Sequence, residues 1–166
     1  MEQNRRKTRY SAYELAEIVN RWHQLWTHLE KRKIDYGTGD MYTSVEVHTV
    51  THVEDNPGIT VTQIAEDTLR TKSAVSQMVS KLEGKGLLRR EQDAQNAKLQ
   101  RLYVTEKGLE LSRCHKLYDE KNFPQEDIIS LYGVDVVDKF IDVLRYVTNR
   151  MIEKMRLEEE QSSKTQ

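Results

Sequence analysis

Between Thr71 and Lys98 the sequence sets out groups that bind anions and read base edges. Wound as a helix, this segment puts Val75, Met78, Val79 and Leu82 on one face, and Thr71, Lys72, Ser73, Ser76, Gln77 and Lys81 off it. Gln77 carries the amide that pairs with an adenine edge, and the Ser73 hydroxyl suits either base type. Ser76 fits a phosphate contact or a hydroxyl bond back to the main chain. Thr71 fits an N-cap, next to helix amides that attract phosphate. In a helical protein with no such partner the same set is a solvated face. Arg89, Arg90, Lys98 and Arg101 follow on the flanks of a short hairpin. Strand alternation separates Arg89 and Arg101 from Arg90. Arg89 and Lys98 are therefore the expected phosphate contacts, and Arg90 is expected to pair with an acidic residue of the protein.

Other chemistry is thinner. His48 and His52 stand four apart on one helix, with Glu46 poorly placed to share an ion with them. Cys114 and His115 sit on a later helix. A zinc site needs three or four such groups converging, and two histidines at this spacing are common, so no metal or cofactor is assigned. Cys114 has only Arg113 and His115 as thiolate-stabilising neighbours, which leaves a cysteine switch without support. No Ser-His-Asp order, phosphate-cradling glycine loop or metal quartet occurs. No catalytic residue is assigned, and an enzyme is not expected.

The positioning elements follow from periodicity and punctuation. Leu15, Ile18, Val19, Trp22, Leu25, Trp26 and Leu29 mark a helix over about 11–32. Gly37 and Gly39 predict a loop from Asp35 to Met41. Thr43 or Ser44 caps a helix reaching about Asp55, ended by Asn56-Pro57-Gly58. Thr60 with Gln63 forms a capping box for a short helix to Thr68. The helix from Thr71 ends at Gly84 and Gly86. Strands over 87–91 and 99–104 flank a polar tip, and Thr105 caps a helix to about Glu120. Phe123-Pro124 interrupts, and Val137 to Met155 marks a last long helix. Residues 1–9 are expected to fray and the tail from Glu158 to be disordered.

The chain of 166 residues is 37% apolar and 32% charged, with net charge −1. It fits one domain with helical extensions. The charge is unevenly placed: Arg70–Arg90 holds six Lys/Arg against one Glu, and Leu117–Asp142 holds seven Asp/Glu against two Lys. One part can face phosphate while the other cannot. Short apolar runs, a basic start without an apolar stretch and a single cysteine lead to the expectation of a cytoplasmic protein. The apolar stripes near the two ends are served by a partner or by each other.

The stretch ITVTQIAEDTLRTKSAVSQMVSKLEGKGLLRR followed by LYVTEKG resembles the MarR family of winged helix-turn-helix regulators. Ala65, Ser76, Leu82-Glu83-Gly84-Lys85-Gly86-Leu87 and Val104-Thr105-Glu106-Lys107-Gly108 carry the likeness. It implies a mainly α fold with a small β-wing: a winged helix-turn-helix unit over 42–105, and dimerisation helices over 10–34 and 109–156, within one domain of 1–166. It also implies a homodimer on palindromic double-stranded DNA, with a cleft for a small aromatic or phenolic ligand. Trp22, Trp26, His48, His52 and part of the helix after Thr105 would line that cleft, unless the tryptophans serve dimer packing. The expected function is a sequence-specific transcriptional regulator, a repressor modulated by a ligand. The alternative is a protein-interaction module on the same fold. Two departures stand out. Thr68-Leu69 occupies the turn where relatives have an apolar residue and glycine, so Leu69 is expected to take over the core contact. Asn96-Ala97-Lys98 replaces the wing's Asp-Arg clamp, so the wing is expected to grip DNA more weakly.

Overall fold

The computed structural model describes residues 9–164. The expectation of fraying falls, Arg9 apart, outside the described residues. The described residues form two compact units, divided between Glu120 and Lys121.

In the first unit α1 spans Ala12–Glu30 and starts at a capping box. Ser11 accepts the Glu14 amide at 3.1 Å, and Glu14 accepts the Ser11 amide at 2.8 Å. None of its residues is buried, and its whole apolar stripe faces outward. The segment expected to be a loop instead closes a hairpin, β1 (Lys33–Asp35) against β2 (Met41–Thr43), with Ile34 opposite Tyr42. The Asp35 carboxylate accepts the amides of Gly37, Thr38 and Gly39 at 2.8, 2.9 and 3.0 Å, and both glycines sit at positive φ. Those bonds close the turn. Three-residue strands are too short to show alternation.

Helix α2 (Ser44–Asp55) begins at Thr43 with Glu46 completing the box, and α3 (Val61–Asp67) at Thr60 with Gln63. Helix α4 (Lys72–Gly84) is capped by Thr71, whose hydroxyl accepts the Ala74 amide at 3.2 Å. It ends in a Schellman turn: Gly86, at φ +72°, donates to the Glu83 carbonyl, and Leu87 donates to Leu82. Strands β3 (Leu88–Gln92) and β4 (Gln100–Val104) pair antiparallel, with Arg89 opposite Tyr103 and Arg90 opposite Leu102. Helix α5 (Glu106–Asn122) follows. The core gathers Val47, Val50 and Val53 of α2, Ile64 of α3, Val79 and Leu82 of α4, Leu102 of β4 and Leu111 of α5.

Between α3 and α4 the structure corrects one expectation. Leu69 adopts φ +53° and stays 61% exposed, so it takes over no core contact. The chain reverses there, and the Arg70 amide returns to the Ala65 carbonyl at 2.9 Å. Ile64 and Ala65 before the turn and Val75 after it are the residues buried in the core. Leucine therefore holds the left-handed geometry that glycine adopts freely.

The second unit contains α6 (Gln125–Tyr132) and α7 (Val134–Lys164), joined at Gly133 with φ +85°. Helix α6 was not expected. The tail from Glu158 is helical as far as Lys164 rather than disordered, and residues 165–166 lie outside the described residues. Its composition is polar, but Glu, Gln and Lys are good helix formers, and extending an existing helix needs no new nucleus. The pairs Arg150–Glu153 at 2.7 Å and Lys154–Glu158 at 3.7 Å brace the approach to it.

Candidate nucleic-acid interface and adjoining cleft

Helix α4 is divided as its sequence implies. Val75, Val79 and Leu82 are buried, Met78 and Ser76 are half-buried, and Thr71, Lys72, Ser73, Gln77 and Lys81 are exposed. Among the described residues, the side chains of Lys72, Ser73 and Gln77 have no hydrogen-bonding or ionic partner. A row of polar groups with open valences thus lies along one edge of a helix pinned by its opposite face.

The cations around it divide into two classes. Lys81 and Lys85 reach the Glu46 carboxylate at 3.1 and 2.7 Å, and Lys85 also lies 4.7 Å over the Tyr42 ring. Glu46 is fully buried at the start of α2. Burial alone would raise its pKa. The Lys85 and Lys81 ammonium groups and the Thr43 amide outweigh that and hold it at about 2, against an ordinary 4.5. Arg89 pairs with Glu91 and stacks 4.9 Å from the Tyr103 ring. Arg90 pairs with Glu83 at 3.1 Å and donates to Ser80 at 3.3 Å, the internal partner that strand alternation suggested. Arg101 pairs with Asp93 and donates to the Gly58 carbonyl at 3.1 Å. Arg70, Lys72 and Lys98 are left with no side-chain partner among the described residues. Arg70, one residue ahead of the Thr71 cap, was not singled out from sequence. Only the burial and pairing of its neighbours distinguish it.

The wing is organised from within. Asp93 accepts the amides of Gln95 and Asn96, each at 2.9 Å, and Asn96 accepts the Lys98 amide at 3.1 Å. Arg101 and these amides hold the Asp93 carboxyl below its ordinary pKa. An aspartate–arginine pair is therefore present, but it ties the wing to the turn before α3, and the exposed cation near the tip is Lys98.

A cleft of about 390 Å³ lies behind α4. Ile64, Ala74, Val75 and Met78 form its apolar side, with His48, Thr49, His52, Thr68 and Arg70 among its polar lining. His52 and His48 are thus brought together, and His52 Nε2 lies 3.1 Å from Asp67. Trp22 and Trp26 are not among the lining residues, and no residue of α5 is. The two indoles pack on each other at 5.8 Å, 56% and 42% exposed, and Trp26 reaches the cleft only by donating to Glu30 at 3.0 Å. Among the described residues no group of three or more His, Cys, Asp or Glu is arranged to hold a metal ion. No helix there is long and apolar enough to cross a membrane.

The MarR family profile matches residues 42–99, the stretch from β2 to the wing tip. The uncharacterized HTH-type transcriptional regulator YhjH of Bacillus subtilis (strain 168) is 38% identical over 93 residues. That alignment covers 56% of this chain and only 53% of YhjH, so the chain spans about half the length of that relative. Among solved structures, the transcriptional regulator SlyA superposes with a TM-score of 0.66 at 23% identity, covering 85% of this chain and 95% of that one. FabT of Streptococcus pneumoniae, solved in complex with DNA, gives 0.64 at 21% identity, covering 85% and 94%. The capped helix pair, the hairpin wing and the matched sequence between them agree: over residues 42–99 this chain is similar to the MarR family.

Proposed function

We propose that this protein is a sequence-specific DNA-binding transcriptional regulator that acts as a homodimer. The observation that carries the reading is the exposed, unpartnered edge of α4 at Lys72, Ser73 and Gln77. Helix α4 enters the major groove, Gln77 and Ser73 meet base edges, and Thr71 and Ser76 lie toward phosphate. Arg70, Lys72 and Lys98 make the phosphate contacts. Lys81 and Arg89 add less, because each already has an anionic partner. FabT, similar in fold, is a protein solved with DNA bound.

The exposed stripe of α1 is the natural dimer seam, with the exposed apolar residues of α7 as a second. The cleft behind α4 takes a small ligand whose occupancy shifts the balance between DNA-competent and incompetent spacings of the two reading helices. Repression released by that ligand is the simplest outcome. Titrating labelled duplex DNA at several salt concentrations tests the assignment of cations. Replacing Lys72 or Lys98 by Gln should weaken binding to every sequence and lower the salt slope by about one per contact, while Arg89→Gln should change it less. Equal slopes for all three variants and the parent would contradict the assignment. Absence of DNA binding at low salt would favour a protein-interaction role instead.

A further inference from the structure

Helices α2 and α5 meet along a polar seam beside the apolar core. The Thr51 and Ser112 hydroxyls lie 3.0 Å apart, Ser112 donates to Glu54, and Lys116 reaches Glu54 at 2.9 Å and Asp55 at 3.3 Å. Along the same seam the His48 and His115 rings meet edge to face with centroids 4.7 Å apart. His115 is 4% exposed. Its Nε2 lies 3.1 Å from the Asp119 carboxylate, and its buried Nδ1 has no partner among the described residues. With Nε2–H donating to Asp119, the neutral ring leaves a bare lone pair on Nδ1. A proton taken from solvent at Nδ1 would be a buried charged donor with nothing to receive it, a costly state that the packing resists.

The surroundings are mixed. His48 faces the ring from α2, and the Tyr36 ring faces it at 5.2 Å from the connection after β1. Helix α5 itself supplies Lys116 and Asp119 nearby, with Tyr118 against Tyr36. Burial lowers the proton affinity of His115 below its ordinary value. Asp119 opposes that, and His48 and Lys116 add to it. Helix α2 also holds α4, through Glu46 to Lys81 and Lys85.

We propose that the His48–His115 contact is a proton-operated joint, at which proton uptake parts α2 from α5 and withdraws α4 from DNA. This rests on the DNA-binding reading above. The sign is distinctive. His115 favours its neutral form in the fold, so the closed joint is intact above histidine's ordinary range and is lost as pH falls through the lower folded value. Added positive charge would ordinarily strengthen binding to DNA at low pH, whereas the joint weakens it.

The test compares the full chain with His48→Gln and His115→Gln at constant ionic strength. Binding to a selected duplex is measured at about pH 8 and about pH 5.5, with hydrogen exchange of α2 and α5 corrected for intrinsic rates. Wild type should lose about tenfold in affinity at the lower pH and lose protection in both helices, a coupling of ordinary allosteric size. Each variant should shrink the drop to about threefold or less. An undiminished drop in the variants, or wild-type affinity that holds or rises, overturns the joint. If His115→Gln does not fold, His48→Gln, altered at the exposed ring, decides alone. If no duplex is bound at either pH, the DNA-binding reading fails separately. Hydrogen exchange then decides the joint, and pH-independent protection of α2 and α5 overturns it.

Discussion

Glu46 is a fully buried carboxylate that persists because charge meets it from two lysines and a backbone amide. Breaking such a group on one side is expensive, since the remaining charges stay desolvated. Glu46→Gln should therefore destabilise the fold by about 3 kcal/mol, read as a drop in urea midpoint. The acid dependence has a defined sign. Its folded pKa of about 2 lies below the ordinary 4.5. Its contribution is present above about pH 4.5 and disappears as pH falls toward 2, removing roughly 3 kcal/mol across that window. In the variant that part of the acid unfolding curve should flatten. Leu69 makes the opposite case. A leucine at φ +53° carries about 1–2 kcal/mol of steric cost and, being exposed, gains little packing in return. Leu69→Gly should raise stability by about 1 kcal/mol even after the entropy of glycine is counted, and an unchanged or lower melting temperature would argue against that strain.

At the scale of elements, the close approach of α5 to the start of the wing is the least forgiving feature. A Cβ on Gly108 would sit 2.2 Å from the Leu87 carbonyl oxygen, which also accepts the Thr105 amide at 3.0 Å. Gly108→Ala should cost about 3 kcal/mol or prevent folding, because backbone rather than a flexible side chain must give way. This also explains the Thr105-Glu106-Lys107-Gly108 run in physical terms: Thr105 caps the helix, and Gly108 lets it close on β3. The capped helices were legible because each cap is a local event between residues three apart, as at Thr43, Thr60 and Thr71. The β1–β2 hairpin was not, because its signal is a set of backbone amides donating to the Asp35 carboxylate rather than an apolar pattern. Helix α6 was hidden by its length of eight residues. The candidate reading edge was visible from helical phase alone, but which cations stay free was not. The pairings of Lys81 with Glu46 and Arg101 with Asp93 join residues whose proximity only the tertiary fold creates.

For the whole molecule, exposed apolar surface is the dominant unresolved force. Leu15, Ile18, Val19, Trp22, Leu25 and Trp26 of α1 are all more than two-fifths exposed in the single chain. Patches of that extent on a soluble protein mark association surfaces. Sedimentation equilibrium should give a dimer at micromolar concentration, and Trp22→Asp should shift it toward monomer while the circular dichroism of the folded unit is kept. A parent chain that stays monomeric would remove α1 as a seam. The central claim, that the free edge of α4 reads bases, is tested most directly by selecting binding sites from random duplex DNA with the parent and with Gln77→Ala. The account predicts a two-fold symmetric consensus for the parent, and for the variant a loss of discrimination at one symmetric pair of positions, worth about 1–3 kcal/mol per base pair. An identical consensus from both proteins, or no enriched sequence at all, would contradict it.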